Sequence, residues 1–202
     1  MLHQKPSSIV AMLHPLLQPF LIILACSTAA CAGRSGSGNP SYPAAYRAAL
    51  VETEASAPVR NEDLELFIKF LEGIGTPGSA RAASELYSEN IHFSDALILT
   101  EDKQVIVKHF SDLEAAGNQV KVTMHQKLIS GNDVFLVWSM EARFTPIRTE
   151  RISDSLGVTH LRFDDSGRVI LHQDFWDSTE GFFRHIPVLG SVVNSVKRRV
   201  AN

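Results

Sequence analysis

Four consecutive stretches between Val120 and Trp176 carry strand-forming residues, and each ends at a signal that stops or turns the chain. Val120–Ile129 alternates apolar and polar residues and stops at Gly131-Asn132-Asp133. Val134–Phe144 is strongly apolar and is closed by Pro146. Ile152–Phe163 runs into Asp164-Asp165-Ser166-Gly167, the composition of a hairpin turn, and Arg168–Trp176 follows. Strands of this length with short connections predict an antiparallel meander. Sheets twist with one hand, so such a meander curls. It has one face to bury, and something upstream must cover it.

The upstream segments supply that cover. Leu64, Phe67, Ile68 and Leu71 recur at helical spacing behind Asn61, with Glu62, Asp63 and Glu65 in the favourable first turn. Gly73, Gly75, Pro77 and Gly78 end that helix. Ser79–Tyr87 predicts a second short helix, and Ile91–Asp95 a short strand. Thr100 is placed to cap a third helix over 101–116, with Val105, His109 or Phe110, and Leu113 on one face. After the meander, Thr179–Val200 reads as a helical tail broken at Pro187. The predicted class is α+β: a cone-like curved antiparallel or mixed sheet packed on three N-terminal helices, with a cavity between the layers.

Hydrophobic residues make up 45% of the chain and charged residues 20%, a globular balance. A net charge of −3 argues against nucleic acid, which favours a basic face, so none is expected as a partner. The spacing of cysteines and histidines does not suggest a structural zinc site. His92, Asp95 and His172 are a conceivable metal set, but neither metal nor cofactor is expected.

Residues 1–31 have the character of a secretory signal. They contain no Asp or Glu and a single Lys, Lys5. The apolar core Phe20–Ala25 is far shorter than the roughly 20 residues that span a bilayer. Both cysteines of the chain fall here, in Ile23-Leu24-Ala25-Cys26 and Thr28-Ala29-Ala30-Cys31. Each resembles the bacterial lipoprotein box, which implies acylation at Cys31, or else at Cys26, and membrane attachment through the N-terminus. The residues after the cysteines imply the periplasmic side of the outer membrane. Plain cleavage to a soluble periplasmic protein is the other reading. Residues 32–60, rich in Gly, Ser, Pro and Ala, read as a flexible linker, which leaves 61–202 as the domain.

Three segments carry a further resemblance: Leu86-Tyr-Ser-Glu-Asn-Ile-His-Phe-Ser-Asp95, Gly157-Val-Thr-His-Leu-Arg-Phe-Asp-Asp-Ser-Gly-Arg168 and His172-Gln-Asp-Phe-Trp-Asp177. Together they resemble the nuclear-transport-factor-2-like superfamily, in its SnoaL-like branch, and the likeness covers about 61–200. It implies the cystatin-like cone and says little of function, because the fold hosts isomerases, cyclases, hydrolases and non-catalytic binders.

Alternation along the last strand places His172, Asp174 and Trp176 on one side, which the resemblance implies is the cavity side. On the strand before it, Thr159, Leu161 and Phe163 would face in, and His160 and Arg162 out. Asp95 falls where similar ketosteroid isomerases keep their general base. The oxyanion-hole places of those enzymes hold Phe67 (or Ile68) and Thr159, so that donor set is incomplete. Asp174 matches the acid of SnoaL-like cyclases and of limonene-epoxide-hydrolase-like enzymes. Glu141 stands for the second carboxylate of the hydrolases, and Ser139 occupies the place of their arginine. Asp95, Asp174 and His172 are therefore the candidate catalytic residues. Phe67, Trp138, Glu141, Thr159, Leu161, Phe163 and Trp176 are the candidate ligand-binding residues.

The leading expectation is an envelope-anchored protein that binds a small, mostly apolar molecule. An acid/base enzyme of isomerase, cyclase or hydrolase type, using Asp95, Asp174 and His172, is the alternative. A dimeric interaction module working through the outer sheet face is a third.

Overall fold

The computed structural model describes residues 41–116, 119–145 and 149–200. The expectations for the signal segment, for Cys26 and Cys31 and for the first part of the linker lie outside these residues.

In chain order the elements are α1 (Tyr42–Glu52), α2 (Asn61–Glu72), α3 (Ser79–Leu86), β1 (Tyr87–Ser94), β2 (Leu99–Thr100) and α4 (Lys103–Ala115). The long strands β3 (Gln119–Ser130), β4 (Asp133–Phe144), β5 (Arg151–Phe163) and β6 (Val169–Trp176) follow. The chain ends in a short α5 (Ser178–Gly181), a 3₁₀ turn at Phe183–His185 and α6 (Leu189–Val200). The sheet is six-stranded in the order β2-β1-β6-β5-β4-β3. All neighbours are antiparallel except β1 and β6, so the sheet is mixed and open. This is the α+β class expected, with the meander as β3–β6.

The inner face of the sheet meets α2 and α4. Leu64, Phe67, Phe70 and Leu71 of α2 are buried, at the spacing of one helical face. On α4 the buried apolar residues are Ile106 and Phe110, with Leu113 packed beside them, while Val105 is exposed. The start of α4 also differs from expectation. Asp102, not Thr100, caps it, accepting from the Gln104 N–H, while the Thr100 hydroxyl accepts from the Asp102 N–H. In the β4–β5 pairing Trp138 lies opposite Gly157. A Cβ at 157 would come within 2.3 Å of the Trp138 ring, so only glycine leaves room for that indole.

The linker expectation for 32–60 is corrected from Ser41 onward, because the folded unit begins there. The alanines that suggested a linker are also strong helix formers, and Ala45 and Ala49 are buried. They face the outer side of the sheet, where α1 docks through polar side chains. Tyr46 Oη lies 2.8 Å from His160 Nδ1, and His160 Nε2 lies 2.7 Å from Asp133 Oδ1. Arg162 donates to Asp133 Oδ1 and to the Leu50 carbonyl oxygen. His160 and Arg162 do point away from the inner face, but onto α1 rather than into water.

Candidate functional site

Between the inner sheet face, α2 and α4 lies a cavity of about 240 Å³. Its walls are mostly apolar, from Leu71, Phe93, Phe110, Val122, Met140 and Phe182 among others. Besides Arg143 and Ser153, which come from β4 and β5 at one part of its wall, the polar groups that reach it gather in two places.

The first is a chain of hydrogen bonds under β6. Tyr87 opens β1 and has no exposed surface, and its Oη lies 2.7 Å from His172 Nδ1. Burial holds the Tyr87 phenol well above its ordinary value, with the nearby Asp174 and Asp95 carboxylates adding to the rise. The phenol therefore keeps its proton. Asp174 Oδ1 lies 3.0 Å from Nε2 and its carboxylate can only accept, so Nε2 carries the ring proton and Nδ1 accepts from the Tyr87 O–H. Thr159 donates to the same Oδ1 at 2.5 Å, and the Trp138 indole N–H donates to Thr159 Oγ1 at 2.8 Å. Asp174 Oδ1 is thus saturated by two donors. Its Oδ2 has no hydrogen-bond partner among the described residues.

The second place is the turn after β1. Asp95 Oδ1 accepts from the Leu97 and Ile98 N–H groups at 2.9 and 2.7 Å, an Asx-type turn. Ala96, between Asp95 and Leu97, sits at φ 67°, in the left-handed region that a residue with a Cβ seldom enters. Asp95 Oδ2 lies 3.3 Å from His109 Nε2 on α4. Burial raises the Asp95 carboxyl above its ordinary value, against the opposing pull of His109 and the two turn N–H groups. Trp176 ties the two places together, donating its indole N–H to the Asp95 carbonyl oxygen at 2.7 Å.

Of the residues singled out from sequence, Asp95, His172, Asp174, Trp138, Thr159 and Trp176 line this one cavity. Phe67, Leu161 and Phe163 do not reach it. They are buried in the core beneath it, with Phe67 edge-on to the His172 ring at 5.5 Å. Glu141 is exposed and pairs with Arg143 at 3.2 Å. It sits at odd spacing from Trp138, so strand alternation turns it to the other face, and its assignment to the ligand site is corrected. His92 is likewise on the outer face, bonded to Gln173, and does not join Asp95 and His172. No cluster of three metal-ligating side chains occurs among the described residues.

Two participants, His109 and Tyr87, escape sequence reasoning about the site. His109 shares a helical face with Leu113, a weak signal that nothing links to Asp95. Tyr87 meets His172 only through the parallel pairing of β1 with β6, which no local pattern announces.

No protein-family model matches the sequence, and no curated protein matches it. Solved structures do. A proposed SnoaL-like polyketide cyclase from Shewanella denitrificans OS-217 is 15% identical, with a TM-score of 0.51 over 60% of this chain and 94% of that one. Another from Jannaschia sp. CCS1 is 19% identical, with a TM-score of 0.50 over 61% and 90%. A proposed polyketide cyclase from Acidithiobacillus ferrooxidans is 17% identical, with a TM-score of 0.50 over 62% and 95%. At such identities the likeness establishes the fold and leaves the chemistry to the residues.

Proposed function

Starting from a chain whose fold is SnoaL-like, within the nuclear-transport-factor-2-like superfamily, we propose that the cavity binds a small, mostly apolar molecule and holds one polar group of it against Asp174. The observation that carries this reading is the half-used carboxylate of Asp174. Oδ1 is fixed by Thr159 and His172, and Oδ2 has no partner among the described residues, in a cavity with mostly apolar walls. A carboxylate fixed in this way accepts a hydrogen bond, so the ligand carries a hydroxyl, an amine or an acidic C–H at that end. The volume of about 240 Å³ is just under the usual lower bound of about 300 Å³ for small-molecule pockets, which argues for a compact ligand.

The chain has two tryptophans and both line the cavity, so intrinsic fluorescence reports occupancy. Titration with compact apolar alcohols, amines and ketones should give a saturable change in the wild type and a weaker one in Asp174→Asn. The absence of a saturable change with any of them would count against the reading.

Acid/base catalysis is the second reading, and the pairing of Asp95 with His109 favours it. A carboxyl raised by burial, in the same cavity as a second carboxylate, is suited to moving a proton on a bound ligand.

The composition of residues 1–31 supports placing this activity in the cell envelope. We propose acylation at Cys31, or at Cys26, and attachment on the periplasmic side of the outer membrane. Without acylation the product would be soluble in the periplasm. Metabolic labelling with palmitate tests this: label lost in Cys31→Ser or Cys26→Ser identifies the site, and label kept in the double variant rejects the anchor.

A further inference from the structure

The last helix presents a feature that neither the cavity nor the core uses. Leu189, Val192, Val196 and Val200 fall three or four residues apart and form one stripe along α6. These four side chains are between 39% and 83% exposed.

The helix is held so that this stripe stays outward. Gly190 packs against the 3₁₀ turn, where an added Cβ would come within 2.1 Å of the Arg184 carbonyl oxygen. Lys197, about two turns on and on the same side as Gly190, is paired with Glu180. The docked side is therefore the Gly190–Lys197 side, and the valines lie beside it. Arg199 flanks the stripe on its other edge. No Asp or Glu occurs from Pro187 to the end of the chain. Glu180, the acid that pairs with Lys197, is shared with Arg184, so two cations meet one carboxylate there.

We propose that α6 is a membrane-surface helix, lying with its valine stripe in the interface of an anionic bilayer, with Arg199 at the headgroups on one edge and the net-positive group of Arg184, Lys197 and Glu180 on the other. An apolar stripe bordered by cations on a helix without acids matches such a surface in both respects. A second copy of the chain would match only the apolar part, because its α6 brings the same cations and no acid to meet them. None of the helices among the described residues is long and apolar enough to cross a membrane, so α6 lies on the bilayer rather than through it. This inference stands on α6 alone and does not depend on the ligand reading or on acylation.

The test uses the full chain with Cys26→Ser and Cys31→Ser, which removes both native cysteines. A single environment-sensitive fluorophore is attached at Val196→Cys in one sample and at Asn194→Cys, on the opposite face, in another. The probe reads its own surroundings, so binding through the N-terminal segment does not confuse it. The expected result is a blue shift at 196, with quenching by brominated lipid, on vesicles rich in phosphatidylglycerol. Pure phosphatidylcholine should have little effect, and the 194 probe should not respond. No shift at 196 would overturn the proposal. So would equal responses at both positions, or equal responses to both lipids. A blue shift at 196 that grows with protein concentration in the absence of vesicles would assign the stripe to a second copy, and would overturn it too.

Discussion

Tyr87 and His172 are 85 residues apart in the chain and meet at 2.7 Å beneath the cavity floor. The contact exists because β1 and β6 pair in parallel, with Phe93 opposite His172 and Tyr87 opposite Val169. It begins a chain of hydrogen bonds, Tyr87 to His172 and His172 to Asp174, which Thr159 and Trp138 join from β5 and β4.

Tyr87→Phe removes the one donor to Nδ1 among the described residues. A buried acceptor left unpaired costs about 1–3 kcal/mol, so the variant should unfold earlier in denaturant by that amount. The His172 ring is then free to change tautomer. Nitrogen chemical shifts of the imidazole should report a mixture of forms where the wild type shows one. Unchanged shifts would mean that Asp174 alone orients the ring.

Gly157→Ala places a methyl group where the Trp138 indole lies. Overpacking of this kind costs about 1–3 kcal/mol. The specific consequence is loss of the Trp138 hydrogen bond to Thr159 as the ring moves aside. Stability and ligand-induced fluorescence change should fall together. A stable variant with the wild-type response would show that the ring can shift without disturbing Asp174.

The network under α1 makes the fold acid-sensitive. Burial lowers the pKa of His160 below its usual 6.5, despite the hydrogen bond to Asp133. Below 6.5 the unfolded chain takes up a proton that the folded chain refuses, so stability falls as pH falls. His92 is lowered by burial as well and acts in the same direction. For Asp133, burial is outweighed by the bonds from Arg162 and His160, and its pKa is held below 3.8. Its contribution is lost only in stronger acid. Asp95, raised above 3.8 by burial, works the opposite way and gains a proton on folding in mild acid. From about pH 7 to about pH 5 the histidines should dominate, because the unperturbed value of histidine lies in that window. Unfolding free energy should drop across it, by at most about 1.4 kcal/mol per pH unit for each histidine. His160→Gln should flatten the slope, and an unchanged slope would remove His160 from the account.

If Asp95 moves protons on the ligand, hydrogen exchange should depend on it. A bound ketone or similar ligand incubated in heavy water should gain deuterium beside the carbonyl in the wild type. Asp95→Asn should bind it and leave it unlabelled. Equal labelling in both would leave a binding protein without acid/base chemistry at that carboxyl.

How far the sequence reveals this molecule follows from the range of the interactions. The strands β3–β6 and the helices α2, α3 and α4 are written in periodicity and turn residues, and those are local. The alternation His172, Asp174, Trp176 identifies one face of β6, and that face lines the cavity. The same alternation, applied to β4, separates Glu141 from Trp138. Placing both in one site follows enzyme resemblance against strand geometry. Phe67, Leu161 and Phe163 point inward, but the residues that reach the cavity lie further along the sheet. The helix α1 hides in the sequence because an alanine-rich stretch serves equally as tether or helix, and the choice is made by Tyr46, His160 and Arg162 across the fold. The pairings of Asp95 with His109 and of His172 with Tyr87 depend on tertiary packing and leave no trace in spacing.

The central claim, that Asp174 holds a ligand in the cavity, is tested most directly by native mass spectrometry of the gently purified protein beside Asp174→Asn. Asparagine keeps the accepting oxygen for Thr159 and His172, so the fold should be preserved. The account predicts an added small-molecule mass on the wild type that is lost or much reduced in the variant. An added mass held equally by both proteins, or by neither, would contradict it.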